Sequence, residues 1–326
     1  MKSAHLIFAL LFLLTGTTYI VAQNVWADKS PHKEGFAQAN NIRLHYLDWG
    51  GKGEPMIFLT GMGASPHLFD DLAPKFTSRF RILGLTRRGL GKSDKPATGY
   101  DTATLTEDLR GFLDALKIKR ATLVGWSLAG TEMTRFAEKY PQRVSRLIYL
   151  DSAYDYAKFP EIGAQDPVGS APTKEDLASF ESSKKWFTRT QGMWSEAIEA
   201  DARAISLQPD GTMKLDPMSE GVSKQLLDGM VNHKPDFTRI KAPVLAFYAL
   251  ASSHPGILPE TDAETRRKGE KYWNEVLLPE KRRQIERFKR EVPMARVVKL
   301  DAPHLVFIRP QDEKIIVREM LAFTVK

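Results

Sequence analysis

The sequence predicts an α/β protein with a mostly parallel, doubly wound sheet and a helical insertion after the sixth strand. Three observations carry this. Short apolar runs that do not alternate recur at residues 56–59, 82–85, 121–124, 147–150, 244–247 and 297–300. Such runs suit strands buried on both faces. Segments with helical spacing lie between them, and alternation of this kind implies a parallel sheet covered by helices on both sides. The rhythm then breaks once, between about residues 154 and 236, where no strand pattern is found.

The first 27 residues form a leader. Lys2 supplies a basic start and residues 6–14 an apolar stretch. Ile20-Val21-Ala22 and Val25-Trp26-Ala27 both fit the small-residue cleavage rule, which predicts a mature start near Gln23 or Asp28. The expectation is a signal peptide and an exported protein, periplasmic or secreted. The competing expectation is an uncleaved membrane anchor, because no charged residue occurs between Lys2 and Asp28. Gly16, Thr17 and Thr18 dilute that stretch, whereas a spanning helix needs about 20 mostly apolar residues. Membrane contact is expected only if the leader stays. The remaining chain divides into a first core part (28–153), the helical insertion (154–236) and a second core part (237–326).

Within the first core part, residues 28–34 are polar and predict a linker. Residues 36–39 and 42–47 predict a hairpin turning at Asn40-Asn41, since asparagine tolerates the left-handed turn conformation. Residues 50–53 predict a further turn. Leu105, Leu109, Phe112, Leu113 and Leu116 follow helical spacing, with Thr104 as the expected N-cap and Glu107 three residues on. Met133, Phe136, Ala137 and Tyr140 mark a second helix, and residues 318–323 belong to a last one. In the insertion, Trp186, Phe187, Met193, Trp194 and Ile198 are also spaced as on a helix. Each fits ordinary packing, and together they fit a cover over a site on the sheet.

Composition narrows the function classes. With 42% hydrophobic and 27% charged residues, the chain can build a core. Its formal charge of +7 arises from 47 basic and 40 acidic residues. The basic runs 266–268 and 281–283 are interleaved with Glu264, Glu270, Glu280 and Glu286. They predict solvated helix faces with i,i+4 pairing, and no nucleic-acid motif accompanies them. The chain has no cysteine, so disulfides, thiolate nucleophiles and lipoprotein anchoring are excluded. The glycine stretches match neither a P-loop nor the dinucleotide fingerprint. No histidine spacing suggests a metal site. Neither a cofactor nor a metal is expected.

The most informative stretch is Gly125-Trp126-Ser127-Leu128-Ala129-Gly130. A buried strand precedes it and a helix follows. Small residues at 125, 129 and 130 allow the tight bend of a nucleophile elbow, with Ser127 exposed over the sheet at a helix N-terminus. Read alone, the serine would be an ordinary helix cap. Three further stretches appear in order: Leu59-Thr60-Gly61-Met62-Gly63, Arg87-Arg88-Gly89-Leu90-Gly91-Lys92-Ser93-Asp94, and Tyr140-Pro141-Gln142-Arg143-Val144. Together the four stretches resemble the α/β-hydrolase superfamily across nearly all of residues 36–325. The resemblance makes the insertion a cap and the Gly61 loop an oxyanion loop. It implies that the backbone N–H groups of Met62 and Leu128 hold an oxyanion. Two departures are Ala129 where the elbow usually has glycine and Thr60 where the family usually has histidine.

A serine nucleophile needs a base, and histidine is suited to that role. His304, in the loop after the last strand, stands where the family places its catalytic histidine. His254 is left as a residue of the site mouth or of an ordinary loop. For the acid two positions compete. Asp151 directly follows the sixth strand, a position some branches use, and Asp262 lies in the longer loop after the seventh. Asp151 is preferred on placement, although an aspartate there also occurs simply as a cap. The expected function is hydrolysis of an ester or related acyl bond in a small molecule with a hydrophobic group. A C–C bond hydrolase, lactonase or perhydrolase fits the same residues, and a non-catalytic ligand-binding protein is the reading from a different class.

Overall fold

The computed structural model describes residues 26–169 and 171–325. Of the leader expected over residues 1–27, Met1–Val25 lie outside the described residues. Eight strands form one sheet: β1 (Lys33–Ala39), β2 (Ile42–Gly50), β3 (Glu54–Leu59), β4 (Phe80–Leu85), β5 (Ala121–Trp126), β6 (Val144–Leu150), β7 (Val244–Ala249) and β8 (Arg296–Leu300). Their order is β1-β2-β4-β3-β5-β6-β7-β8. Pairs β1/β2 and β2/β4 are antiparallel, and all the others are parallel. The hairpin turns at Asn40 (φ 47°) and Asn41 (φ 63°), both left-handed as the turn requires.

Apart from the partly exposed edge strand β8, the apolar runs do not alternate because both sheet faces are covered. Ile57, Leu83 and Leu123 face a core built with α1 (Thr102–Ala115) and α2 (Ala129–Lys139), through Leu109, Phe112, Met133 and Phe136. Phe58, Ile82 and Val124, one residue on or back, face the other core with Phe69, Phe76 and Phe307. A strand with core on both sides gains nothing from polar residues on either. The N-cap of α1 is Asp101, not Thr104: its carboxylate accepts from Thr104 N (3.0 Å) and Thr104 Oγ1 (2.6 Å). An ionised carboxylate at that end both satisfies an orphan N–H and meets the positive end of the helix dipole.

Between β6 and β7 the chain forms α3 (Phe159–Gly163), α4 (Phe180–Gln191), α5 (Glu196–Asp201) and α6 (Glu220–Asn232). Among the described residues there, β pairing is limited to the isolated bridge Leu207–Met213. The aromatic stretch is not one helix: it breaks at Gly192, whose left-handed φ of 79° ends α4. After β7 come α7 (Ala263–Tyr272), a wider helical turn at Trp273–Leu277, and α8 (Leu278–Glu291). Helix α9 (Pro310–Phe323) closes the chain. The basic run 281–283 departs from expectation, because Lys281 is turned inward and buried. Among the described residues, no helix is long and apolar enough to cross a membrane.

Candidate active site

Strand register brings the candidate residues to one edge. Trp126 pairs with Leu150, so Ser127 and Asp151, the next residues, leave adjacent parallel strands side by side. Leu59 pairs with Gly125, which sets the Gly61 loop beside the same edge. Ligand sites of open α/β sheets lie at these carboxyl ends. Ser127 (φ 56°) and Asp151 (φ 48°) are both left-handed. Side chains other than glycine enter this region only where surrounding structure holds them, which is common at functional sites. Two glycines permit the bend at Ser127. A Cβ on Gly125 would strike Met133 of α2, and one on Gly130 would strike the Ser152 carbonyl. Ala129, in the usual glycine place, is accommodated fully buried.

Asp151 is 1% exposed and accepts four hydrogen bonds. Oδ1 accepts from Tyr154 Oη (2.5 Å) and Ala249 N (3.0 Å). Oδ2 accepts from His304 Nδ1 (2.7 Å) and Lys281 Nζ (3.2 Å). Burial pushes its carboxyl up, but the Lys281 ammonium and the bonds from His304 and Tyr154 outweigh it and hold it well below the usual carboxylate range. An ionised carboxylate only accepts, so Nδ1 of His304 carries the proton and Nε2 is left as the free basic nitrogen. Burial, then the charge of Asp151, raises the Tyr154 hydroxyl well above its ordinary value, which keeps it a donor. Trp126, next to the serine, donates from Nε1 to the His304 carbonyl (2.9 Å) and packs its ring 5.1 Å from the imidazole. Ser127 Oγ makes no hydrogen bond among the described residues. Serine–histidine contacts of unliganded sites are often long and tighten with substrate.

On the other side, neither Met62 N nor Leu128 N is used in a backbone bond among the described residues. The loop is shaped by its neighbours. Arg87 donates to the carbonyls of Gly61 (3.1 Å) and Thr60 (3.1 Å), and pairs with buried Glu132 of α2 at 2.8 Å. Thr60 Oγ1 closes the loop onto Ala64 O at 2.8 Å. The threonine thus serves loop geometry where the family usually has histidine. The second arginine of the motif, Arg88, makes a two-point bond to Asp108 (2.5 and 2.6 Å) under the loop that follows β4.

A cavity of about 910 Å³ opens at Asp151 and His304, with Lys281, Tyr154, Trp186 and Trp273 among its walls. Its cover comes from two places. The insertion supplies Phe159 and Trp186, and the segment after β7 supplies His254 and Tyr272. His254 is buried, bonds Asp166 of the insertion at 3.1 Å, and so joins the two. Trp194 does not line the cavity and packs with Phe187 against the sheet core. Met62 lines a separate hollow with Lys214 and Met218. Asp262 is not brought to His304. It is exposed, and its Oδ1 accepts from Glu264 N (3.0 Å) and Thr265 N (2.9 Å) as the N-cap of α7. Sequence reasoning missed Lys281 and Tyr154. Lys281 sits in a charged run that gives no local sign of burial, while Tyr154 follows Asp151 by three residues and could have been suspected.

Comparison with known proteins agrees with this architecture. Residues 54–188 match the family described as alpha/beta hydrolase fold. A 2-(acetamidomethylene)succinate hydrolase of Mesorhizobium japonicum is 34% identical over 101 residues, 31% of this chain and 36% of that protein. A soluble epoxide hydrolase of a Corynebacterium species is 31% identical over 115 residues, 35% of this chain and 40% of its own. The chain therefore spans well under half the length of these curated relatives. Among solved structures, an E-2-(acetamidomethylene)succinate hydrolase superposes with a TM-score of 0.69 at 22% identity, over 90% of this chain and 98% of that one. An enol-lactonase from Burkholderia xenovorans gives 0.59 at 20% identity, over 90% and 100%. At these identities the structural likeness speaks for the fold. With an eight-stranded, mostly parallel sheet and the matched segment lying across its centre, the chain has the α/β-hydrolase fold.

Proposed function

We propose that the chain is a serine hydrolase acting on an ester or related acyl bond. The observation that carries this reading is the 2.7 Å bond from His304 Nδ1 to a buried, ionised Asp151, beside a left-handed serine on the neighbouring strand. In the proposed reaction, Nε2 of His304 takes the proton from Ser127 Oγ as the oxygen attacks the acyl carbon. The N–H groups of Met62 and Leu128 hold the oxyanion. His304 then gives the proton to the leaving group, and water repeats the sequence to free the enzyme. Asp151 keeps the imidazole in the productive tautomer and stabilises its charged form.

The cavity walls favour a substrate with a hydrophobic group. Trp186, Phe159, Tyr272 and Trp273 offer aromatic surface. The two cations there are already engaged, Lys281 with Asp151 and Arg189 with Asp176 and Glu260. The relatives' names include an enol-lactonase, and lactone opening would use the same residues in the same roles. We further propose export through the leader. Treating the folded chain with a fluorophosphonate tests the enzyme reading. A covalent adduct on Ser127 that Ser127→Ala abolishes supports it. No adduct on the wild type, or equal labelling of both, defeats it in favour of a non-catalytic binding protein. A chain recovered with Met1 to Ala27 intact in a soluble cytoplasmic fraction would refute export, and the same chain in the membrane fraction would select the anchor.

A further inference from the structure

Away from the proposed active site, the linker expected over residues 28–34 does not run free. It lies against the short helical turn Pro66–Phe69 that follows the Gly61 loop. There Asp28, His32, His67 and Asp70 converge, each offering one donor atom within 4.8 Å of the others. His32 Nε2 is 2.9 Å from Asp28 Oδ2 and 3.9 Å from Asp70 Oδ1. His67 Nδ1 is 3.2 Å from Asp28 Oδ2 and 3.0 Å from Asp70 Oδ2. Four donors at zinc distances in a tetrahedron stand about 3.3 Å apart, and the four histidine–aspartate separations of 2.9 to 3.9 Å lie around that value.

Charge points the same way. The side chains of Asp70, His32 and His67 are 4%, 7% and 11% exposed. Among the described residues, no lysine or arginine pairs with Asp28 or Asp70, and the two imidazoles are their only ion-pair partners. Zinc binds histidine as the neutral imidazole, so these four ligands together would bring two negative charges to a half-buried place, and a divalent cation cancels them. The donor set selects the metal class. Imidazole nitrogens favour zinc and its transition-metal neighbours over calcium or magnesium, which prefer oxygen alone. Asp70 is also oriented from behind. Trp49 Nε1 and Ser30 Oγ both donate to its Oδ1 at 2.8 Å, the kind of outer support that fixes a ligating carboxylate.

We propose that Asp28, His32, His67 and Asp70 form a zinc site that clasps the N-terminal segment to the chain leaving the Gly61 loop. The inference stands on this cluster and does not depend on the proposed hydrolase chemistry. Neither Asp-x3-His nor His-x2-Asp is distinctive in the sequence, and the two pairs lie 35 residues apart, so spacing alone gave no sign of a site.

The test uses the untagged full chain, stripped with chelator, dialysed, and titrated with Zn2+. The expected result is one equivalent of zinc retained through gel filtration, and a Tm raised by about 4 °C at a hundredfold excess over Kd. Mg2+ should give neither. Co2+ in place of zinc should give the visible absorption of a tetrahedral site. His67→Gln and Asp28→Asn should each lose stoichiometric retention, and Ser30→Ala should weaken binding roughly tenfold. Asp28 is the most exposed ligand, so its variant serves if His67→Gln fails to fold. No retained zinc on the wild type overturns the proposal. So does equal retention by the folded variants, or a Tm that responds to pH but not to zinc, which would mark the cluster as a plain histidine–aspartate ion-pair network.

Discussion

Two aspartates follow neighbouring strands of the sheet, and their fates differ. Asp151, at the end of β6, is buried, left-handed, and surrounded by donors from four parts of the chain: Tyr154, Ala249, Lys281 and His304. Asp262, after β7, is exposed and holds the first turn of the helix that begins beside it. Both carboxylates lie below their ordinary range, but for different reasons. Asp262 is held there by the N–H and hydroxyl of Thr265, a local effect of capping. Asp151 is held there against burial by a buried lysine and by His304. A perturbed acid is thus no guide by itself. What separates the two is whether the partners are local or brought from afar, because a carboxylate that caps its own helix has no oxygen aimed at a distant histidine.

Substitutions separate the two aspartates, with a p-nitrophenyl ester at saturating concentration so that binding does not obscure chemistry. Ser127→Ala should have the largest effect, lowering kcat by roughly a millionfold, the scale seen when a serine nucleophile is removed. Asp151→Asn should keep the fold and lower kcat by roughly ten-thousandfold, because an amide no longer enforces the productive tautomer. Lys281→Met sharpens the contrast on stability and pH. Removing one partner of this buried pair should destabilise the fold by about 3 kcal/mol, measured by denaturant unfolding at neutral pH. Asp262→Asn should have the smallest effect, with kcat unchanged and Tm only slightly lower, since asparagine also caps helices well.

Acid stability follows from the same groups. Because Asp151 is held below its unfolded value, its stabilisation is complete above about pH 4 and is lost as pH falls further. In Lys281→Met the folded-state carboxyl is held down less, so that loss should be smaller and should end at higher pH, since the largest opposing charge is gone. Unfolding curves of wild type and variant taken between about pH 3 and pH 7 check this.

The sheet was legible because burial on both faces leaves a local mark. Each of the six apolar runs lies inside a parallel strand or β4, and the asparagine pair turns the hairpin. Ser127, His304 and Asp151 could be singled out because strand ends and short motifs are also local. What escaped was non-local. Lys281 is 130 residues from Asp151 and lies in a run that reads as solvated. The second piece of the cavity cover, from His254 to Trp273, follows β7 and carries no aromatic cluster like that of the insertion. Apolar spacing that begins at Leu105 points to Thr104 as the cap, three residues late, whereas the helix begins where Asp101 can hold it.

In the proposed reaction Asp151, through His304, makes Ser127 nucleophilic. The most direct measurement needs no knowledge of the substrate: the rate of fluorophosphonate labelling at Ser127 in wild type, Asp151→Asn and Asp262→Asn, followed by intact-protein mass spectrometry. Wild type and Asp262→Asn should label at equal rates, and Asp151→Asn should label orders of magnitude more slowly. Slow labelling of Asp262→Asn with normal labelling of Asp151→Asn would contradict this role of Asp151.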